Sequence, residues 1–280
     1  MHAYHIRQRR VLLLAVTALV TMGVSAPGGA QDRERESNAF TWTGNIPAGR
    51  SIAVHNINGA ITVERSSSNR VEVSADKEWR RGNPRDVRIE QGRASGEDIV
   101  ICALWNEEST CDADGINTPR RTNRNDDDRN RNNDVAVHFT VRVPDGVRVN
   151  VNTINGALEI SGATAEVLAK TINGSIQAQS AGGPVRATTV NGSIDIAMGA
   201  IGNASDLGYE TINGSITIAV PSNLSAQLDL STVNGRINTD FPITVSGTLS
   251  PRRLRGTVGS GAMRLRASTV NGGITLRRGS

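Results

Sequence analysis

The sequence predicts an all-β fold, a β-solenoid of stacked coils about 18–22 residues long. Two observations carry that expectation. The motif Thr-(Ile/Val)-Asn-Gly or a close variant recurs seven times, and apolar residues alternate by two on both sides of it.

The copies are NINGAITV (56–63), TINGALEI (153–160), TINGSIQA (171–178), TVNGSIDI (189–196), TINGSITI (211–218), TVNGRINT (232–239) and TVNGGITL (269–276). Their turn residues are Asn58-Gly59, Asn155-Gly156, Asn173-Gly174, Asn191-Gly192, Asn213-Gly214, Asn234-Gly235 and Asn271-Gly272. From Asn155 onward the gaps are 18, 18, 22, 21 and 37 residues. The last gap has room for two units, and TVGSGAMRL (257–265) reads as a degenerate copy inside it.

Counted from each Asn, apolar residues fall at −6, −4, −1, +3 and +5, with Thr usually at −2. Alternation on either side of Asn-Gly means two short strands. The parity break between −2 and −1 predicts a corner at which both side chains turn inward. Asn and Gly are the residues that tolerate a left-handed backbone there. In a solenoid the equivalent Asn side chains stack about 4.8 Å apart and hydrogen-bond in a ladder. The alternative is an antiparallel meander or sandwich, with each Asn-Gly as a type I′ hairpin turn. That arrangement would send the −1 Ile or Val to the face opposite the other apolar residues.

Residues 1–30 read as a signal peptide: Arg7, Arg9 and Arg10, then the apolar run Val11 to Val20, then small residues ending at Ala30. The apolar run is shorter than the roughly 20 residues of a membrane span, and no transmembrane segment follows it. The chain is therefore expected to be exported, to the periplasm or the cell surface. Without residues 1–30 it holds 28 basic and 27 acidic residues, which does not suit a dedicated nucleic-acid binder.

Residues 31–143 form a more irregular β part and 144–280 the regular repeat, with 31–280 read as one continuous domain. Segment 112–134 is rich in Asn, Asp, Arg and Pro with almost no apolar residues, and reads as a mobile surface loop. Cys102 and Cys111 are the only cysteines, and an oxidising compartment makes a disulfide between them the expectation.

The repeated T-[IV]-N-G-x-[IL]-x-[ILV] and the run VHFTVRVPDGVRVNVNTINGALEI (137–160) resemble the putative-adhesin β-strand-repeat family of bacterial envelope proteins, over about residues 40–278. That family is a domain of unknown function. The resemblance implies a β-solenoid-like fold and an envelope setting, and it offers no catalytic residues to carry over.

Common catalytic signatures are missing from the sequence, so no enzyme, cofactor or metal site is expected. The different-class alternative is a polysaccharide-acting enzyme using the +4 column, where Glu159 and Asp195 fall two coils apart, at roughly 9–10 Å between backbones. The candidate binding residues are Arg252, Arg253, Arg255, Arg264 and Arg266, in a stretch that has no acidic residue after Asp240. Arg264 and Arg266 alternate with Met263 and Leu265 and should share an outward face. Such a face suits anionic envelope polymers. The other expected partner is an envelope protein, with the chain acting as a protein-binding module in envelope signalling.

Overall fold

A computed structural model describes residues 39–119, apart from 93, 95 and 97, then 133–245 and 250–279. The signal-peptide reading of 1–30 lies outside the described residues. The chain is all-β, with one short 3-10 turn at Pro84–Asp86 among the described residues.

Two long mixed sheets dominate. The first runs, neighbour to neighbour, through Ala39–Gly44, Val71–Glu78, Ala136–Val143, Ile61–Arg65, Leu158–Ala163, Ile176–Ser180, Ile194–Met198, Ile216–Val220, Ile274–Arg278 and Ile237–Thr239. The second runs through Thr244–Val245, Arg253–Val258, Ala226–Asn234, Met263–Asn271, Asp206–Glu210, Val185–Thr188, Val167–Lys170, Arg148–Asn152, Ser51–His55, Ile99–Leu104 and Arg88–Gln91. The two strands flanking each Asn-Gly lie in different sheets. Each pairs in parallel with the equivalent strand of the neighbouring copy, as in Leu158↔Ile176↔Ile194 and Val149↔Val167↔Val185. Antiparallel strands close both ends: Val71–Glu78 against Ala136–Val143, and Arg253–Val258 against Ala226–Asn234.

The core lies between the sheets. It is filled by the −6, −4, +3 and +5 residues, such as Val149, Val151, Leu158 and Ile160. The corner departs from the sequence expectation. Thr at −2 points inward, with Thr153, Thr171, Thr189, Thr211, Thr232 and Thr269 all buried. The −1 residue points out: Ile154, Ile172, Ile212, Val233 and Val270 are 38–55 % exposed. Period-two alternation thus continues through −1, and the chain bends only afterwards, at Asn-Gly.

The inward Thr has a hydrogen-bonding task. Thr171 Oγ1 donates to Gly156 O at 3.0 Å, Thr189 to Gly174 O at 2.9 Å and Thr211 to Gly192 O at 2.9 Å. In the first coil Asn56 replaces Thr, and its Nδ2 donates to Gly59 O and Val137 O. A polar residue among apolar ones is therefore there to satisfy a corner carbonyl. Thr189→Val keeps the shape and strands Gly174 O, so it is expected to cost about 1–2 kcal/mol. Urea unfolding checks this; a midpoint equal to wild type would remove that role from the hydroxyl.

Asn-Gly acts through stacking. Among the described residues no non-glycine residue has positive φ, and of the seven corner glycines only Gly59 (117°) and Gly272 (158°) do. The left-handed corner expected from the sequence is therefore absent at every Asn. The Asn amides form a ladder instead. Asn173 Nδ2 donates to Asn155 Oδ1 at 2.7 Å, Asn191 to Asn173 and Asn213 to Asn191 at 2.8 Å each, Asn271 to Asn213 at 2.7 Å, and Asn234 to Asn271 at 2.8 Å. Glycine is needed because a Cβ on Gly156, Gly174, Gly192, Gly214 or Gly235 would sit 1.9–2.0 Å from the carbonyl oxygen of the neighbouring corner glycine.

The ladder also shows that order in space differs from order in sequence. Along the stack the turns run Asn58, 155, 173, 191, 213, 271, 234. After the 226–239 coil the chain returns through Arg253–Val258, antiparallel to Ala226–Asn234. It reverses at Gly259 and Gly261, both at positive φ, and lays the final coil between two earlier ones. Residues 257–265 are thus a strand end, a turn and a strand start, not a degenerate coil.

The start of segment 112–134, expected to be a loop, belongs to a small hairpin, Thr110–Asp112 with Gly115–Asn117, while 120–132 lies outside the described residues. Cys102 and Cys111 are disulfide-bonded, with Cα atoms 5.7 Å apart. They join Ala53, Val100 and Leu104 in a second apolar cluster on the outer face of the second sheet, beneath the hairpin.

Candidate functional site

The outer face of the second sheet carries the candidate arginines. Along Met263–Asn271 side chains alternate, so Leu265 and Ala267 are buried while Arg264 and Arg266 stand outside. Pairing on both sides of Ala226–Asn234 aligns Asp229 with Arg255 on one flank and Arg266 on the other, and Gln227 with Thr257 and Arg264. Arg255, Arg264 and Arg266 thereby converge on one cleft of about 390 Å³, lined also by Gln227, Asp229 and Thr257.

Asp229 partly neutralises this cleft, because Arg255 Nε lies 3.3 Å from Asp229 Oδ1. Both groups are about half exposed, so the pair holds position more than it adds stability. Arg264 and Arg266 keep their donors on the open surface. Arg253 lies one row away, opposite Ser231, and Arg252 sits in the turn before it, where its amide donates to Ser250 Oγ. Those two do not line the cleft.

The outer face of the first sheet holds the +4 column. The parallel register sets Thr62, Glu159, Gln177, Asp195, Thr217 and Thr275 side by side, with Gln177 between Glu159 and Asp195. Thr62, Glu159, Gln177 and Asp195 form one wall of a groove of about 530 Å³ that also includes Glu64, Gln179 and Arg277. The groove is concave because the +6 column reads Gln179, Ala197, Ala219, Arg277, and the two alanines leave space between longer neighbours. Gln179 and Arg277 did not emerge as candidates from the sequence, although the large–small–small–large pattern is visible once the repeats are aligned.

His55 ends a third cleft, of about 570 Å³, between the disulfide-tied hairpin and the sheet residues Asn150, Asn152, Leu168 and Lys170. Its ring lies 3.2 Å from Asn152 Nδ2 through Nδ1, and burial pushes its pKa below the ordinary value, Asp112 and Lys170 acting in opposite directions. No group of three or more His, Cys, Asp or Glu positioned to hold a metal occurs among the described residues. No described helix is long and apolar enough to cross a membrane.

Stacked Asn-Gly coils in two sheets make the chain an all-β repeat protein. The chain belongs to the Toastrack DUF4097 family, whose model matches residues 44–277. No curated protein matches it. Among solved structures it is similar to a "putative cell adhesion protein" from Clostridium sporogenes, at 7 % identity and a TM-score of 0.46, covering 86 % of this chain and 100 % of that one. It is also similar to a "putative adhesin" from Bacteroides fragilis, at 9 % identity and a TM-score of 0.38, covering 86 % and 96 %. At these scores the likeness bears no functional argument.

Proposed function

We propose that the chain is an exported, non-catalytic β-solenoid of the cell envelope, in the periplasm or at the surface, that presents a binding face to anionic envelope polymers. One observation carries this reading: three guanidinium groups from two strands that flank Ala226–Asn234 on opposite sides, Arg255, Arg264 and Arg266, share one open cleft. Guanidinium groups on a rigid sheet keep a fixed spacing and pair with phosphate or carboxylate groups in a forked geometry.

Co-sedimentation of the purified protein with isolated envelopes across a salt series tests it. Retention is expected to fade as salt rises. The triple variant Arg255→Glu, Arg264→Glu, Arg266→Glu is expected to bind about tenfold more weakly or not at all. Retention equal to wild type, or retention indifferent to salt, would refute the proposal.

The first-sheet groove favours a second reading, a polysaccharide-acting enzyme with Glu159 and Asp195 flanking the chain being cut. The double variant Glu159→Ala, Asp195→Ala decides it, because glycan turnover that survives both changes cannot depend on them. The groove offers no aromatic platform, and its amides suit positioning as well as chemistry.

A further inference from the structure

Single exposed apolar residues are ordinary, but a contiguous row of them is not. The outward −1 side chains form such a row. In stack order it runs Ile57, Ile154, Ile172, Val190, Ile212, Val270, Val233, one per coil. Five of the seven are at least 38 % exposed, and Ile57 and Val190 are half-buried. Seven coils at about 4.8 Å make a ridge about 29 Å long.

The columns beside the ridge indicate what covers it. On one side, at −3, the stack reads His55, Asn152, Lys170, Thr188, Glu210, Ser268, Ser231. The column holds one exposed cation and one exposed anion, two coils apart. They lie symmetrically about the middle coil, that of Thr188 and Val190. Among the described residues neither Lys170 nor Glu210 has an ion-pair partner in its own chain. On the other side, at +2, the column reads Ala60, Ala157, Ser175, Ser193, Ser215, Gly273, Arg236. These residues are small and uncharged except at the end, so nothing there holds a partner off.

We infer that the ridge is the interface of a two-fold dimer of this chain, with two copies packed ridge to ridge and antiparallel about Val190. A two-fold axis across the ridge brings each −3 column against its copy in reverse order. Lys170 of each chain then meets Glu210 of the other, twice by symmetry, and Ile172 packs on Ile212 and Ile154 on Val270. The alternative axis, along the ridge, sets −3 against +2 and leaves both charges facing serines. The charge pattern therefore selects the antiparallel arrangement. The hairpin covers the His55 end of the −3 column. The open patch between the −3 and +2 columns is therefore about 24 Å by 16 Å, roughly half of a standard-size interface per copy, and the dimer forms with rising concentration.

Sedimentation equilibrium of the purified protein over a wide concentration range, up to millimolar, is the test. Wild type is expected to dimerise reversibly. Lys170→Glu alone and Glu210→Lys alone each place like charges opposite one another twice, and each is expected to weaken association about tenfold. An equimolar mixture of the two single variants restores opposite charges across a heterodimer and is expected to recover wild-type association. The double variant Lys170→Glu, Glu210→Lys should do so by itself. Val190→Lys sets two cations on the axis and should leave monomer. Recovery on mixing cannot arise from misfolded chains, and melting curves confirm that each variant is folded. A wild type that stays monomeric throughout would overturn the inference and leave the ridge to another partner. A dimer indifferent to Lys170→Glu and Val190→Lys, or single variants that do not recover on mixing, would overturn it too.

Discussion

Gly174→Ala is expected to destabilise the protein by about 3 kcal/mol or more, the largest effect of any one-carbon change considered for the chain. An added Cβ would lie 1.9 Å from Gly156 O and 2.5 Å from the carbonyl carbon behind it. Neither neighbour is the end of a flexible side chain. Both are backbone, held in place by Gly156 N donating to Asn173 O and Gly174 N donating to Asn191 O, each at 3.0 Å. Gly174 has no positive φ, so alanine fits its conformation and the whole cost comes from the spacing between coils. The control is Gly208→Ala on the second sheet, where a Cβ meets nothing within 4 Å. That change is expected to stay within about 0.5 kcal/mol of wild type. Paired thermal and urea unfolding of the two variants checks the contrast. Equal melting of Gly174→Ala and wild type would show that the coils relax apart without cost.

The disulfide carries the second large effect. Cys102 and Cys111 are nine residues apart in sequence, and replacing both with Ala should cost about 2–3 kcal/mol by releasing that loop in the unfolded chain. The structural readout is His55. A Cβ at Gly115 in the hairpin would lie 3.4 Å from His55 Nδ1, so the hairpin packs against the imidazole. Burial there holds the His55 pKa below its ordinary 6.5. A group whose folded pKa is lowered supplies stability that is complete above the unfolded value and is lost as pH falls from there through the folded value. Wild type should therefore lose stability from this site below about pH 6.5. In the Cys102→Ala, Cys111→Ala variant the His55 pKa should rise toward 6.5 and that acid sensitivity should shrink. Titration of the imidazole by NMR measures it. An unmoved His55 pKa would show that the hairpin stays docked without its covalent tie.

Much of the stack is legible from residue spacing alone. The Asn-Gly motif marks every coil, and the −6, −4, +3 and +5 positions fill the core, because a period of two on a strand has only two faces to choose between. What misled was the corner. Ile or Val at −1 reads as inward by hydrophobicity, yet Thr at −2 takes the inward place, since a corner carbonyl of the adjacent coil needs its hydroxyl. The requirement belongs to a glycine 15 residues away, in the adjacent coil, and leaves no mark within one unit. Glycine likewise looks conformational in a single copy and proves steric only when two copies stack.

The arginine cleft shows the same division. Outward alternation of Arg264 and Arg266 follows from the sequence, and so does the acid-free C-terminal stretch. That Asp229 stands among these arginines follows from the final coil slotting between two earlier ones, a pairing that spans 37 residues. The sequence by itself determined the repeating unit, its inward face, the disulfide partners and the outward polar columns. These depend on local alternation and on residue types whose chemistry is the same in every coil. Only the tertiary structure decided the order of the coils, the apolar ridge and the company each charged residue keeps. Parallel strands pair with partners that local sequence does not name, and the selection rests on backbone hydrogen bonds and shared burial summed over the whole stack.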